Sequence, residues 1–124
     1  MLRAKRTKPP FFMSELPERV TGAVVNPAHP SRRWEGTFRI DTCATDCCVP
    51  AKHLRAIGLA PLTTRQYQLP NASARKLDAT PAQIEFLDEV TAAMVVFGED
   101  DSEPVLGAAV IESIGIRRVQ PISA

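Results

Sequence analysis

In the segment from Phe38 to Pro50, the carboxylate of Asp41 is followed by the small side chains that surround a reactive turn. Its first residues, Phe38-Arg39-Ile40, are aromatic and β-branched apart from the arginine, which is typical of a strand, and they place Asp41 at the strand's end. Three residues with short side chains follow the aspartate: Thr42, Cys43 and Ala44. Short side chains let other backbone segments approach closely, so this pattern predicts a turn that presents a catalytic carboxylate.

Asp41 has a plainer interpretation, in which its side chain only bonds its own backbone and stabilises the turn. The remaining acids lack both the apolar lead-in and the turn of small residues; they include Asp46, Asp78, Asp88, Asp100 and Asp101. The chain therefore offers one candidate catalytic aspartate. Any chemistry that needs two such carboxylates would need a second copy of the chain.

The order Asp41-Thr42-x-Ala44, with apolar residues before it and Val49-Pro50 after it, resembles the signature of the retropepsin-like aspartic proteases. A second motif of that family, two apolar residues and a glycine before a helix, is matched by Val105-Leu106-Gly107. The resemblance extends from about Val20 to Val119 and is greatest to the small prokaryotic single-domain members. Where the family has Gly or Ser, this chain has Cys43.

The resemblance implies an all-β domain, a closed β-barrel or sandwich with one or two short helices and a flap hairpin. It implies that Asp41 is the catalytic acid, that the Thr42 hydroxyl bonds across a dimer axis and that Ala44 lines the substrate cleft. The backbone N–H of Cys43 would face the carboxylates. Leu106 and Gly107 would form the second-half turn. The flap would consist of Pro70, Asn71, Ala72, Ser73 and Ala74.

The activity implied by the resemblance is that of an aspartic endopeptidase acting on a peptide or an unfolded polypeptide. In this class two carboxylates share one proton and activate a water, so Asp41 of each subunit of a homodimer would meet at the two-fold axis. The flap contains no glycine, unlike that of most relatives, and Cys43 adds bulk beside the carboxylates. An alternative therefore keeps the fold and the dimer but gives a weak or inactive peptide-binding protein.

Hydrophobic patterning and turn residues predict the elements that position these residues. The expected strands cover 19–26, 34–40, 47–49, 63–69, 75–87, 89–97, 104–107 and 116–119, with helices over 51–57 and 108–114. The first two strands are expected to form a hairpin, and so are the fourth and fifth. Gly58 suits the left-handed residue that ends a helix. The two helices share the pattern apolar-x-x-Ile-Gly-apolar, which indicates two halves of similar build or merely two helices with a common ending.

The length of 124 residues fits one domain, predicted over 18–124, behind a basic flexible extension over 1–17. That extension is expected to be a solvated tail, with an arm for nucleic acid or a membrane surface as the alternative. A formal net charge of +1 argues against a nucleic-acid partner, and no apolar run reaches the roughly 20 residues that cross a bilayer. We expect a cytoplasmic protein with no membrane partner.

The three cysteines, Cys43, Cys47 and Cys48, are clustered rather than spread as in a disulfide framework. With His53 they suggest a zinc site, but adjacent residues on a strand point to opposite faces and no second ligand pair follows. A Cys43 nucleophile with His29 or His53 as its base has no supporting motif. We expect the cysteines to behave as small buried hydrophobes and the protein to use no metal and no cofactor.

Overall fold

The computed structural model describes residues 16–68 and 73–114, which form seven strands and two short helices. The predicted strand at 116–119 and most of the predicted extension at 1–17 lie outside these residues. Leu16 packs against the barrel core. In chain order the elements are β1 (Arg19–Val25), β2 (Arg33–Asp41), β3 (Cys47–Pro50), α1 (Ala51–Ala56), β4 (Thr63–Gln68), β5 (Ala74–Phe86), β6 (Glu89–Gly98), β7 (Val105–Gly107) and α2 (Ala108–Ser113).

The strands form a closed barrel, as predicted. Neighbouring strands follow the order β1-β2-β7-β3-β6-β5, and an antiparallel pairing of β1 with β5 closes the circle, with Val24 opposite Ile84. β4 lies outside this circle and pairs with β5 alone in the part of the chain that the structure describes. Both predicted hairpins are present, since β1 pairs with β2 and β4 with β5. The fold class is therefore confirmed.

Alternating apolar residues of the strands and one face of each helix fill the barrel interior. The largest side chains with no exposed surface come from five elements: Phe38, Leu54, Ile84, Leu106 and Ile111. Removal of such a side chain costs about 2–5 kcal/mol of stability, because the surrounding structure collapses only in part. This packed interior fixes the ends of β2 and β7, where the candidate site lies.

Both helices follow directly from a short strand and end alike. α1 follows β3, α2 follows β7, and each has six residues. Their C-terminal residues have nearly the same conformation, with φ −97° and ψ 13° at Ile57 and φ −95° and ψ 10° at Ile114. Gly58 has φ 85°, as expected of a residue that ends a helix. Because β3 runs parallel to β6 while β7 runs parallel to β2, the two halves have similar build.

The turn between β5 and β6 was not predicted in detail. Leu87 and Asp88 both have positive φ, 51° and 60°. This is the backbone of a two-residue hairpin turn that usually selects Asn or Gly. A leucine in this conformation costs roughly 1–2 kcal/mol, and the long pairing of β5 with β6, from Ala79 opposite Val96 to Phe86 opposite Glu89, offsets that cost.

Candidate active site

Asp41 is the last residue of β2, and the backbone of the two residues before it is held from both sides. The N–H of Arg39 donates to the carbonyl of Pro104 at 2.9 Å, and the N–H of Ile40 donates to that of Glu18 at 2.9 Å. The Asp41 side chain remains 29% exposed. The strand therefore fixes the carboxylate at the barrel's edge without burying it.

The turn after Asp41 folds back onto its carboxylate. The backbone N–H of Cys43 donates to Asp41 Oδ1 at 3.0 Å, and the N–H of Ala44 donates to the Asp41 carbonyl at 3.2 Å. Among the described residues, positive φ outside glycine occurs at Leu87 and Asp88, so Cys43 does not need the conformational freedom of glycine here. The cysteine at this position thus allows the N–H to face the carboxylate, as the resemblance implies.

The second-half turn lies directly against this first turn. Residues of β7 pair in parallel with the end of β2, placing Leu106 beside Ile40 and Gly107 beside Asp41. The first N–H groups of α2 find their acceptors in the turn, because Ala108 donates to the carbonyl of Ala44 at 2.7 Å and Ala109 to that of Thr45 at 3.1 Å. These bonds satisfy donors that a helix leaves free at its start.

The absence of a side chain at Gly107 makes this contact possible. A Cβ atom there would lie 2.5 Å from the carbonyl oxygen of Asp46 and 2.6 Å from that of Thr45. Both are backbone atoms, so they cannot turn away as the end of a side chain can. The structure thus brings the predicted pair Leu106 and Gly107 together with Asp41 and Ala44.

Asp46 ties the same turn to the predicted flap hairpin, which the sequence did not indicate. Tyr67 Oη donates to Asp46 Oδ2 at 2.7 Å, and Arg65 Nη1 donates to the same oxygen at 3.2 Å. The Asp46 side chain is only 10% exposed. Burial and the hydrogen bond with Asp46 raise the pKa of Tyr67 to about 12. Arg65 and Tyr67 lie two apart on β4 and so share a face, but their acid partner is distant in sequence.

Arg39 contributes a cation beside the candidate catalytic carboxylate. Its Nη1 donates to Asp41 Oδ2 at 3.4 Å, and its Nε donates to Glu103 Oε1 at 3.1 Å. Arg19 Nε donates to the other oxygen of Glu103 at 2.7 Å. The hydrogen bond from Arg19, with a further contribution from Arg39, lowers the pKa of Glu103. A cluster of ionic groups therefore continues from Asp41 along the outside of β2.

The cysteines do not share one environment. Cys47 is fully buried and Cys48 is half-buried, but Cys43 is exposed, so the expectation of three buried cysteines is wrong at Cys43. The side chain of Cys43 follows the end of β2 into an open turn and has no core to enter. Burial raises the pKa of the Cys47 thiol to about 12 and also raises that of Cys48. Neither buried thiol is therefore a ready nucleophile.

Neither histidine takes part in the arrangement around Asp41 described above. The His53 ring stacks on the indole of Trp34, with ring centroids 4.6 Å apart and planes 15° apart. His53 is thus half-buried against an aromatic ring rather than simply solvated. Within the described residues, no group of three or more His, Cys, Asp or Glu side chains could hold a metal ion.

The predicted flap residues Pro70, Asn71 and Ala72 lie outside the described residues. Ser73 and Ala74 are exposed where β5 begins. Thr42 is exposed in the turn after Asp41. In the same part of the chain, no helix has the length and apolar character needed to cross a bilayer.

No family model matches the sequence, and no curated protein sequence matches it. Solved structures do match the fold. One is the solution structure of the simian foamy virus (mac) protease, with a TM-score of 0.55 and 14% sequence identity over 77% of this chain and 93% of that one. The likeness supports a retropepsin-like fold for this chain.

Proposed function

We propose that this chain is an aspartic-type endopeptidase whose active form is a homodimer with one Asp41 from each subunit in its catalytic site. The observation that carries the proposal is the position of Asp41. Its carboxylate lies at the end of a strand, accepts a hydrogen bond from the Cys43 N–H at 3.0 Å and stays 29% exposed. A merely structural turn aspartate would explain the bond, but not the second turn that Leu106 and Gly107 pack against it.

In the proposed reaction, the two Asp41 carboxyls share one proton, because two like charges this close cannot both ionise; this is a general property of aspartic proteases. The ionised carboxylate takes a proton from a water, and the oxygen of that water attacks the peptide carbonyl carbon. The protonated carboxyl donates to the carbonyl oxygen. Collapse of the tetrahedral intermediate transfers a proton to the leaving nitrogen, breaks the C–N bond and releases an acid and an amine.

The backbone around Asp41 suits this task. The Cys43 N–H bond orients one carboxylate oxygen, and the bonds from Ala108 and Ala109 to the turn carbonyls hold the turn in place. Preorganised geometry of this kind matters, since a displacement of about 1 Å at reacting groups can cost roughly 100-fold in rate. Cleavage of an extended peptide between the barrel's edge and the flap hairpin fits the exposed position of the site.

The decisive experiment is cleavage of a peptide library at acidic to neutral pH by the wild type and by Asp41→Asn. Asparagine keeps the size of the side chain but cannot accept the proton from water, so we expect cleavage to fall to background. Asp101→Asn, in the exposed loop before β7, is the matched control and should cleave as the wild type does. Equal cleavage by wild type and Asp41→Asn would show that Asp41 is not the catalytic acid.

A second candidate is a peptide-binding dimer without catalysis. It is favoured by the Arg39 contact with Asp41 Oδ2 at 3.4 Å, since a guanidinium paired with this carboxylate occupies an oxygen that the reaction would need for water. In that case the wild type and Asp41→Asn would bind peptides alike and cleave none.

A further inference from the structure

The guanidinium of Arg39 lies close enough to the Asp41 carboxylate to contact a substrate bound there. The two residues are two apart on β2, so their side chains share one face of the strand. The Arg39 side chain is 38% exposed, and its Nη1 lies 3.4 Å from Asp41 Oδ2. A substrate in contact with the Asp41 carboxylate therefore comes within reach of this guanidinium.

The guanidinium is also held in a defined position. Glu103 anchors its Nε at 3.1 Å, while Arg19 binds the other oxygen of Glu103 at 2.7 Å. Among the described residues, the two carboxylates of Glu103 and Asp41 use only part of the planar fork of N–H donors that an arginine carries. A preorganised fork with donors left over is the geometry that recognises a further carboxylate.

We propose that Arg39 determines substrate specificity by binding the carboxylate of an acidic side chain, Asp or Glu, next to the bond that is cleaved. This inference rests on the proposed function. In the working dimer one proton is shared by two Asp41 carboxyls, so the charge that holds each Arg39 is reduced. The guanidinium then binds the substrate's carboxylate, and a basic residue at the same place is disfavoured by repulsion.

The length of the Arg39 contact with Asp41 supports this role. At 3.4 Å it is longer than the bonds of Glu103, and it joins groups that both remain in contact with solvent. Exposed ion pairs of this kind contribute little to stability. Fold stability alone thus gives little reason for a cation at this position, whereas recognition of an anionic group gives a direct one.

The test uses pairs of peptides that differ only by Glu or Gln beside the cleaved bond. In one pair this residue precedes the bond, and in a second pair it follows the bond. Glutamine keeps the shape of glutamate and removes its charge. We expect the wild type to cleave one Glu peptide with at least about tenfold higher kcat/KM than its Gln partner, and Arg39→Gln to lower that ratio to about twofold or less. Arg33→Gln is the matched control, since Arg33 lies on the same strand but pairs with Glu35 and Glu85 rather than with Glu103 or Asp41, and it should keep the preference.

The outcomes separate this inference from the proposed function. Equal cleavage of both peptides by the wild type would overturn the inference and leave the peptidase intact. The same peptides are also made with the cleaved amide reduced to an amine, and their dissociation constants are measured. The reduced Glu peptide could bind the wild type more tightly than the reduced Gln peptide does, with this difference lost in Arg39→Gln. If neither parent peptide were cleaved, that result would support the carboxylate site and overturn the peptidase.

Arg39 has one competing role, at an interface between subunits. Sedimentation of Arg39→Gln tests it. A dimer that dissociates at least about tenfold more readily than the wild type, with an unchanged ratio of Glu to Gln cleavage, would assign Arg39 to the interface and overturn the inference.

Discussion

The residues that follow Asp41 hold the turn together through their backbone groups rather than through their side chains. Cys43, Ala44 and Thr45 contribute an N–H, a carbonyl and a second carbonyl, respectively, to the bonds that hold the turn. Because these bonds use only backbone groups of the three residues, a cysteine side chain at position 43 does not alter them. The identity of residue 43 therefore matters for the space beside the carboxylate.

Cys43→Gly is expected to raise the turnover of peptide substrates several-fold, because it removes an exposed thiol next to Asp41. Cys43→Ala separates two causes, since alanine also frees space but adds no backbone freedom. Steady-state kinetics with one peptide gives kcat for both variants. If crowding is the cause, Gly and Ala raise kcat alike; a gain with Gly alone would point to the backbone, and no gain with either would show that Cys43 is simply tolerated.

At the scale of elements, β4 is joined to the Asp41 turn through Tyr67 and Asp46. Tyr67 is the chain's one tyrosine, so tyrosinate absorbance reports this contact directly. We expect it to titrate near pH 12, and Asp46→Asn to lower that pKa, since Asp46 favours the neutral phenol. Arg65→Gln should raise it further, because Arg65 favours the phenolate. A titration near the ordinary value of 10 in the wild type would mean that the contact is not made.

The raised pKa of Tyr67 determines how its contact with Asp46 changes the stability of the fold as the pH rises. The neutral phenol is favoured in the folded protein, so the stabilisation is complete below pH 10 and is lost as the pH rises through about 12. Tyr67→Phe should therefore show a flatter loss of unfolding free energy over that interval than the wild type does.

Gly107→Ala tests the contact between the two turns. Its Cβ would meet the backbone oxygens of Asp46 and Thr45 at 2.5 and 2.6 Å, and overpacking of this kind costs about 1–3 kcal/mol. We expect that loss in chemical denaturation, together with reduced cleavage. Gly98→Ala is the control, because its Cβ would meet the side-chain atoms Cys48 Sγ at 2.7 Å and Ser102 Oγ at 2.9 Å, which can move. Equal losses would contradict the close approach at Gly107.

Local sequence signals predicted the bounds of most strands and helices to within one or two residues, because particular residues mark where an element starts or ends. Gly58 marked the end of α1, and Pro50 marked its start. The signals could not reveal contacts between distant segments. The bond from Tyr67 to Asp46 and the ion pair of Arg39 with Glu103 join residues 21 and 64 positions apart, and neither partner has a local pattern that indicates the other.

The left-handed turn at Leu87 and Asp88 escaped prediction because its local sequence signal is weak. Leu87 does not favour such a backbone locally, although Asp88 tolerates it, and the pairing of β5 with β6 imposes the conformation. The closure of the barrel by β1 and β5 likewise depends on strand pairing that no single segment specifies. The general fold was predictable because the resemblance rests on two separated motifs that the structure brings together.

At the scale of the whole molecule, one barrel presents a single Asp41 at its edge, which is half of the proposed catalytic pair. Addition of Asp41→Asn protein to a fixed amount of wild type tests this directly, since each mixed dimer would have one asparagine and be inactive. Random exchange of subunits at one equivalent pairs about half of the wild-type chains with the variant, so the cleavage rate should fall to about half, and to about a quarter at three equivalents. Asp101→Asn should instead increase the rate in proportion to its amount. A rate that is unchanged by any excess of Asp41→Asn, with sedimentation showing monomers, would mean that one chain acts alone and that the two-carboxylate mechanism is wrong.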